Sequence, residues 1–438
     1  MLKVLEINNE YFLYDGRTNR FHKINAKIKN DLEKKKIKQN SYDIKKIENV
    51  FGWNIFSDFE FEISMPYSIE QLDWICKNIT TQLVLSITEK CNMNCHYCGY
   101  HYKREKWNKI FLDMELSTAY KAIDELFNRS LINDTIFISF YGGEPLLRRD
   151  FIDKCIEYAK NKNVLHKKVL FTMPTNGTLF NDDTCQFLIK NNILLTISLD
   201  GPRSIHDRYR IFNDNSPTYD VVIENLKKLY YLDKNYFLDC VIFLPVHTPP
   251  YFDDIVYEYF ENLPCLNQFS SLSITPYFKK YLSNMDFSQQ KILTFEETQK
   301  FRKQHQAMET IINKFENTSI IPTNVMKAFP AGCCIPLNKK LYVHANGNYY
   351  ICEKVDEDDD SNIIGNVTMG INISKLFNQY RKLEDVFTKN KCGTCWAIHF
   401  CTACFRDYKS INKEKCTQIK RTLEYEMKLY IKEKFNIK

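Results

Sequence analysis

Cys91, Cys95 and Cys98, in the run Ser86-Ile-Thr-Glu-Lys-Cys-Asn-Met-Asn-Cys-His-Tyr-Cys98, place three thiols at C-x3-C-x2-C spacing just beyond the apolar run Leu83–Ile87. Three thiolates this close on one loop can hold three irons of a cubane iron–sulfur cluster, leaving the fourth iron without a cysteine there. A cluster kept only for electron transfer is normally fully ligated, whereas one with an open iron can bind a small molecule directly. Zinc or three unrelated thiols is the competing reading. Spacing of three then two at a strand end weighs against it.

A second set of thiols follows in the last third of the chain. Cys333-Cys334 precedes Gly347-Asn-Tyr-Tyr-Ile-Cys352, then Cys392-x2-Cys395-x5-Cys401-x2-Cys404, and finally Cys416. On spacing alone, Cys392, Cys395, Cys401 and Cys404 could close a tetrahedral zinc ribbon, and the same thiols could anchor further iron–sulfur clusters. Colour separates the two, since iron–sulfur protein is brown and zinc protein colourless. Cys76, Cys155, Cys185, Cys240 and Cys265 sit in apolar or helical stretches and read as core residues.

The elements that would position the first triplet alternate along the chain. Apolar β-rich runs at Leu83–Ile87, Thr135–Tyr141, Lys168–Met173, Ile193–Leu199, Leu238–Leu244 and Ser271–Thr275 are separated by stretches of helical periodicity. Those stretches are Glu115–Arg129, Arg149–Asn161, Asp182–Asn191, Tyr219–Tyr231 and Tyr251–Glu261, with Asp150 and Asp182 as expected N-caps. The alternation implies a parallel sheet with helices outside, in the form of a six-strand partial (β/α) barrel. Chemistry in such barrels sits at the carboxyl ends of the strands. The cysteine triplet, Gly142-Gly-Glu-Pro145, Thr175-Asn-Gly177 and Asp200-Gly-Pro202 follow the first four strands in turn, so all four motifs fall on one rim.

Around this centre we expect three domains, at 1–80, 81–315 and 316–438. The first opens with a hairpin, Val4–Ile7 against Tyr11–Tyr14 turned at Asn8-Asn9, followed by a lysine-rich helical segment, Lys27–Lys46. In the last, the acidic run Asp356–Asp360 reads as a solvated loop. With 438 residues, 44% hydrophobic and 26% charged, the composition is that of a soluble protein of several domains. The start of the chain lacks the apolar core of a signal peptide, and no stretch reaches the roughly 18 apolar residues of a membrane helix. Sixteen cysteines in such a chain point to metal ligation in a reducing cytoplasm rather than disulfides. A net charge of +6 is too small to be a nucleic-acid footprint.

At Cys91-x3-Cys95-x-Tyr97-Cys98 the chain resembles the radical S-adenosylmethionine (SAM) enzymes, and the resemblance extends over roughly residues 83–420. It implies a partial (β/α)6 TIM-like barrel of α/β class, with a small N-terminal domain and a C-terminal cysteine-rich SPASM domain. It also implies that the open iron chelates SAM, and that an electron from the cluster cleaves it to a 5′-deoxyadenosyl radical that abstracts hydrogen. Gly142-Gly-Glu-Pro145 resembles the family's GGEP motif, which implies that Gly142, Gly143 and Glu144 meet the methionine part of SAM, with Glu144 either accepting from its ammonium or fixing the loop. Ser198-Leu-Asp-Gly-Pro202, followed by His206-Asp-Arg-Tyr-Arg210, resembles a run of peptide-modifying members. There Ser198 would touch the ribose and Arg210 the carboxylate, a task suited to its planar fork of donors. Tyr97 supplies the motif's aromatic, and Asp200 is expected to organise its turn. No acid–base role is assigned to His96, His101 or His206.

The later cysteines resemble the SPASM pattern, with Cys401-x2-Cys404 one residue shorter than the common form. By that similarity Cys392, Cys395, Cys401 and Cys416 hold a distal cluster, and Cys334, Cys352 and Cys404 a nearer one. The total is three 4Fe-4S clusters. The nearer cluster's fourth ligand would be Cys333 or a cysteine of the substrate. The resemblance implies a cytoplasmic maturase that installs a thioether in a ribosomally made precursor peptide, with a flavodoxin- or ferredoxin-type electron donor and neither nucleic acid nor membrane as partner. The N-terminal domain would bind the peptide's leader or be a structural extension. Formylglycine formation of the anaerobic sulfatase type and cyclophane formation are the alternative reactions. A non-catalytic iron–sulfur electron carrier is the alternative of another class.

Overall fold

The structure is a computed structural model and describes residues 1–34, 42–100, 110–246, 248, 253–261, 327–330 and 339–437. The strands are β1 (Leu2–Ile7), β2 (Glu10–Asp15), β3 (Arg20–Ile24), β4 (Glu62–Ile63), β5 (Gln82–Thr88), β6 (Thr135–Gly142), β7 (Lys168–Thr175), β8 (Leu194–Ile197), β9 (Val241–Phe243), β10 (Lys327–Ala328), β11 (Lys340–Val343), β12 (Asn348–Tyr350), β13 (Ile363–Asn366) and β14 (Gly370–Ile371). Two compact units divide them, one made of residues 72–294 and 336–376, the other of residues 1–71, 295–335 and 377–438.

The larger unit is built on a nine-stranded sheet in the order β14-β13-β12-β11-β5-β6-β7-β8-β9. From β11 through β5 to β9 every pairing is parallel, and β11 to β14 form an antiparallel meander. The first five expected strands are present in order. The sixth, 271–275, and Cys265 lie outside the described residues. The fifth is shorter than its apolar run suggests, because Lys234–Cys240 forms a helix capped by Asp233 before β9 begins.

Helices Leu116–Arg129, Arg149–Lys162, Asp182–Lys190 and Tyr219–Leu232 fall where the periodicity places them, each burying one face. Both expected N-caps shift towards the N-terminus, Asp182 by one residue and Asp150 by two. Asn181 caps the Asp182–Lys190 helix by accepting from Thr184 N at 2.8 Å, and Asp150 sits in the first turn after Arg148. Cys76, Cys155, Cys185 and Cys240 are buried core residues. No described helix is long and apolar enough to cross a membrane.

In the smaller unit the hairpin turns at Asn8 and Asn9, with φ of 46° and 64°, the left-handed pair a two-residue turn requires. The lysine-rich segment gives helices at Ala26–Glu33 and Tyr42–Phe51. Leu5, Ile7, Phe12 and Tyr14 pack against Ala397, Phe400, Leu423, Met427 and Tyr430, so the chain's two ends share one core.

The two units draw on separated stretches of chain, a grouping that the expected boundaries at 80 and 315 do not describe. Composition marks where a segment changes character, but it does not show that the last helix, Lys413–Lys434, returns to the first hairpin. Nor does it show that 340–371 extends the central sheet beside β5.

Phe12, fully buried in the shared core, tests the joining of the two ends. Phe12→Ala is expected to cost about 3–5 kcal/mol of stability, the range for deleting a buried aromatic ring. Denaturant unfolding measures it, and a loss under 1 kcal/mol would mean that the hairpin folds on its own.

Candidate functional site

The thiol loop is held by two strand ends. Beyond β5 and β6 the pairing continues into the loop, with Gly143 N donating to Thr88 O at 2.8 Å and Glu144 N to Lys90 O at 2.9 Å. Both glycines are needed for this approach. Gly142 has φ of +130°, and a Cβ there would lie 2.0 Å from Thr88 O; one on Gly143 would lie 2.2 Å from Lys90 O. Further along, Asn94 N donates to Ile211 O and His96 N to Tyr209 O, and Met93 bridges Phe212. The loop therefore runs antiparallel to residues 209–212, which brings Arg210 beside Cys95.

The three thiols lie near enough for charge on one to raise the pKa of another. Burial, with Glu144 next in effect, pushes Cys91 well up. Cys95 is pushed to about 12 by burial against the opposing pull of Arg210. Such thiols ionise on binding metal, releasing protons. Asn176 donates through Nδ2 to Cys91 Sγ at 3.8 Å and to Asn92 Oδ1 at 2.9 Å, and Asn213 Nδ2 reaches Cys91 O. Asn176 belongs to the Thr175-Asn-Gly177 run expected on the rim, whereas Asn92 and Asn213 are structural members of the site that no motif singled out.

Glu144 has the loop-fixing role. Its carboxylate is fully buried and accepts from Leu146 N at 3.0 Å, Thr175 Oγ1 at 2.8 Å and Asn176 N at 2.7 Å. Both oxygens thus accept from the protein, the contacts that the loop-fixing alternative calls for. Burial raises its pKa to about 7 despite these donors.

Asp200 joins three loops. Its Oδ2 accepts from Tyr97 Oη at 2.6 Å and Arg210 Nε at 2.9 Å, while Oδ1 accepts from Val246 N at 2.9 Å. The guanidinium of Arg210 also lies 5.3 Å from the Tyr97 ring centroid. Tyr97 and Arg210 thus meet, with the arginine's Nε committed to Asp200.

His206 receives Asp200 N at 3.3 Å on Nδ1, which leaves its Nε2 proton to point at Thr218 Oγ1, 3.1 Å away; Thr218 in turn donates to Arg210 O. Burial lowers His206 to about 4, so it is a neutral structural histidine. Ser198, at the end of β8, is half-buried and donates its N–H to Thr175 O at 3.0 Å.

Of the later cysteines, Cys392 is pushed to about 12 by burial and by the neighbouring thiols of Cys401, Cys395 and Cys416. Cys401 is pushed to about 11, with Cys395 and Cys416 again among its neighbours. These four therefore form one group. Cys352 follows β12 in the other unit, where Lys354 N donates to its Sγ at 3.3 Å, and Tyr141 lies close to both Cys98 and Cys352. Cys404 begins the turn Phe405–Ser410; Cys333, Cys334 and His101 lie outside the described residues.

Three thiols on one loop suit a cubane iron–sulfur cluster, which takes one thiolate per iron. Among the described residues, Glu89, His344 and Glu357 are metal-ligating side chains whose donor atoms lie within 4.8 Å of one another.

Residues 85–256 match the model of the Radical SAM superfamily. The chain carries a radical SAM domain. It is 30% identical over 197 residues, 43% of its own length, to a cysteine-type anaerobic sulfatase-maturating enzyme of Clostridium novyi (strain NT). That match spans 51%, about half, of the relative. A radical SAM cyclopropyl synthase, TigE of Paramaledivibacter caminithermalis, is 26% identical over 45% of this chain and 42% of its own. The fold is also that of native anSMEcpe with bound AdoMet, at TM-score 0.61 and 21% identity, covering 82% of this chain and 100% of the other. The family implies a 4Fe-4S cluster and SAM.

Two outcomes test the rim. Gly142→Ala forces a Cβ onto Thr88 O and is expected to cost about 1–3 kcal/mol in strain alone and to lower iron content, read by thermal unfolding and metal analysis. His206 is depressed from 6.5 to about 4, so its contribution is present above pH 6.5 and is lost as pH falls towards 4. Unfolding measured from pH 7 to 5 should show that loss, at most about 1.4 kcal/mol per pH unit, and His206→Asn should flatten it.

Proposed function

We propose that the protein is a radical SAM maturase of a ribosomally made peptide, and that it forms a thioether from a peptide cysteine. The observation that carries the radical SAM part is the thiol loop seated on a rim whose glycines, Glu144 and Asp200 all serve to fix it. A SAM molecule at the open iron supplies, after one-electron reduction, a deoxyadenosyl radical able to take hydrogen from carbon.

The chain's own residues position this chemistry. Cys91, Cys95 and Cys98 would hold the cluster. Ser198 would meet the ribose, and Arg210, oriented through Nε by Asp200, would offer its guanidinium to the SAM carboxylate. Gly142 and Gly143 bring the β6 loop against the loop that bears the cluster. The peptide reading rests on two further points: this fold has been solved in anSMEcpe with bound AdoMet and a peptide, Cp18Cys, and the later cysteines resemble the SPASM pattern.

For the product, the thioether reading assigns Cys392, Cys395, Cys401 and Cys416 to a distal cluster. It assigns Cys334, Cys352 and Cys404 to a nearer one, where a peptide cysteine completes the set. Such a cluster would supply an iron that favours the ionised thiol and an acceptor for the surplus electron, so no residue of the chain is assigned as base. A flavodoxin- or ferredoxin-type donor would supply the first electron. The N-terminal unit, whose three-stranded sheet has β1 and β3 at its edges, is the proposed place for the peptide's leader.

The similarity to a sulfatase-maturating enzyme supports a second reading, formylglycine formation. Anaerobic incubation of the reconstituted protein with SAM, dithionite and a cysteine-containing candidate peptide separates the two. Deoxyadenosine should form in every productive case. Loss of two hydrogens together with loss of an alkylatable thiol is the thioether result, and exchange of sulfur for oxygen alongside loss of two hydrogens is formylglycine. Absence of deoxyadenosine would leave an electron carrier.

A further inference from the structure

Glu89, His344 and Glu357 form a buried cluster that the proposed reaction does not use. Glu89 follows β5, His344 follows β11, and those strands run parallel in register, Leu85 opposite Val343, so their ends lie side by side. Glu357 belongs to the acidic run Asp356–Asp360, expected above to be solvated. Its side chain is 6% exposed, against 3% for His344 and 0% for Glu89. His344 Nε2 lies 3.2 Å from Glu89 Oε1 and 3.6 Å from Glu357 Oε2.

The far oxygens are fixed elsewhere. Leu112 N donates to Glu89 Oε2 at 2.8 Å, and Tyr342 Oη donates to Glu357 Oε1. Tyr350 Oη anchors the backbone by donating to Glu357 O at 2.9 Å. One oxygen of each carboxylate is thereby turned onto the same imidazole nitrogen, the outer support that orients metal ligands.

We propose that Glu89, His344 and Glu357 bind a divalent cation of zinc type through Oε1, Nε2 and Oε2. Four-coordinate ligands at about 2.0–2.1 Å from zinc stand about 3.4 Å apart, and the observed 3.2 and 3.6 Å bracket that value. The ring's Nδ1 lies 3.5 Å from Asn346 N, too long a contact to fix the tautomer. Cys352 lies between His344 and Glu357 in sequence, and Glu89 is two residues ahead of Cys91. The ion would clamp the strand that leads into the cluster loop to the segment that carries Cys352.

The competing arrangement has no metal, with an imidazolium between two carboxylates. Burial lowers the pKa of His344, but contact with Glu89 and Glu357 outweighs this and raises it. The anaerobically reconstituted holoenzyme, incubated with zinc chloride, passed over a weak chelator and gel-filtered, decides between them. Iron and zinc are counted separately and each variant is matched for iron content and circular dichroism.

The expected result is one zinc per chain beyond iron in the wild type, with at least a tenfold weaker retention in His344→Ala and Glu357→Gln at unchanged iron. Cobalt(II) in its place should give visible bands of a four-coordinate ion that both variants lose. Zinc that is absent from the wild type, or retained equally by all three proteins, overturns the proposal. Because the readout is metal content at constant iron, it stands or falls apart from peptide maturation.

Discussion

The rim depends on a buried ion pair, Asp200 with Arg210. Removing a carboxylate and a guanidinium from water costs several kcal/mol each, and attraction repays it only when the remaining hydrogen-bonding capacity is met. Here Tyr97 Oη and Val246 N complete the set on Asp200, and the Tyr97 ring lies against the guanidinium. The consequence is geometric. A residue of the cysteine loop, the end of β8 and the segment after β9 are tied to one carboxylate, so Cys95 cannot move without disturbing Arg210. Glu144 does the same for the other side of the loop, joining the ends of β6 and β7.

Much of this was readable from the chain. Alternating apolar and amphipathic stretches gave five parallel strands in order, since that periodicity is local. The turn at Asn8-Asn9 was readable for the same reason: both residues tolerate the left-handed conformation. The placement of the Cys91 triplet, Gly142 and Asp200 on one rim followed from the order of strands and loops, whereas Ser198 and Arg210 were pointed to by the family resemblance. What was not readable was set by distant partners. Glu144 braces the loop through Thr175 and Asn176, some thirty residues on, and spacing within a motif carries no information about those partners.

Two long-range returns of the chain were equally invisible. The pairing of β11 with β5 brings residues 340–371 onto the sheet, and the helix Lys413–Lys434 meets the first hairpin. Each joins segments more than two hundred residues apart, and neither leaves a periodic trace. Glu357 shows the smaller version of this effect. Within five consecutive acidic or amide-free charged residues, one turns inward because Tyr342 and His344 on the returning strand await it. The second cysteine system is distributed accordingly, with Cys352 on the sheet side and the group Cys392, Cys395, Cys401 and Cys416 beside the hairpin core.

The central claim is that one iron held by Cys91, Cys95 and Cys98 has a vacancy that SAM fills. Electron paramagnetic resonance of the dithionite-reduced holoenzyme, recorded with and without SAM, tests it most directly. The signal that is missing in Cys95→Ala should change its g-values when SAM is added to the wild type, while the signals of any other clusters stay in place. A Cys95-dependent signal that SAM leaves unaltered would contradict the account.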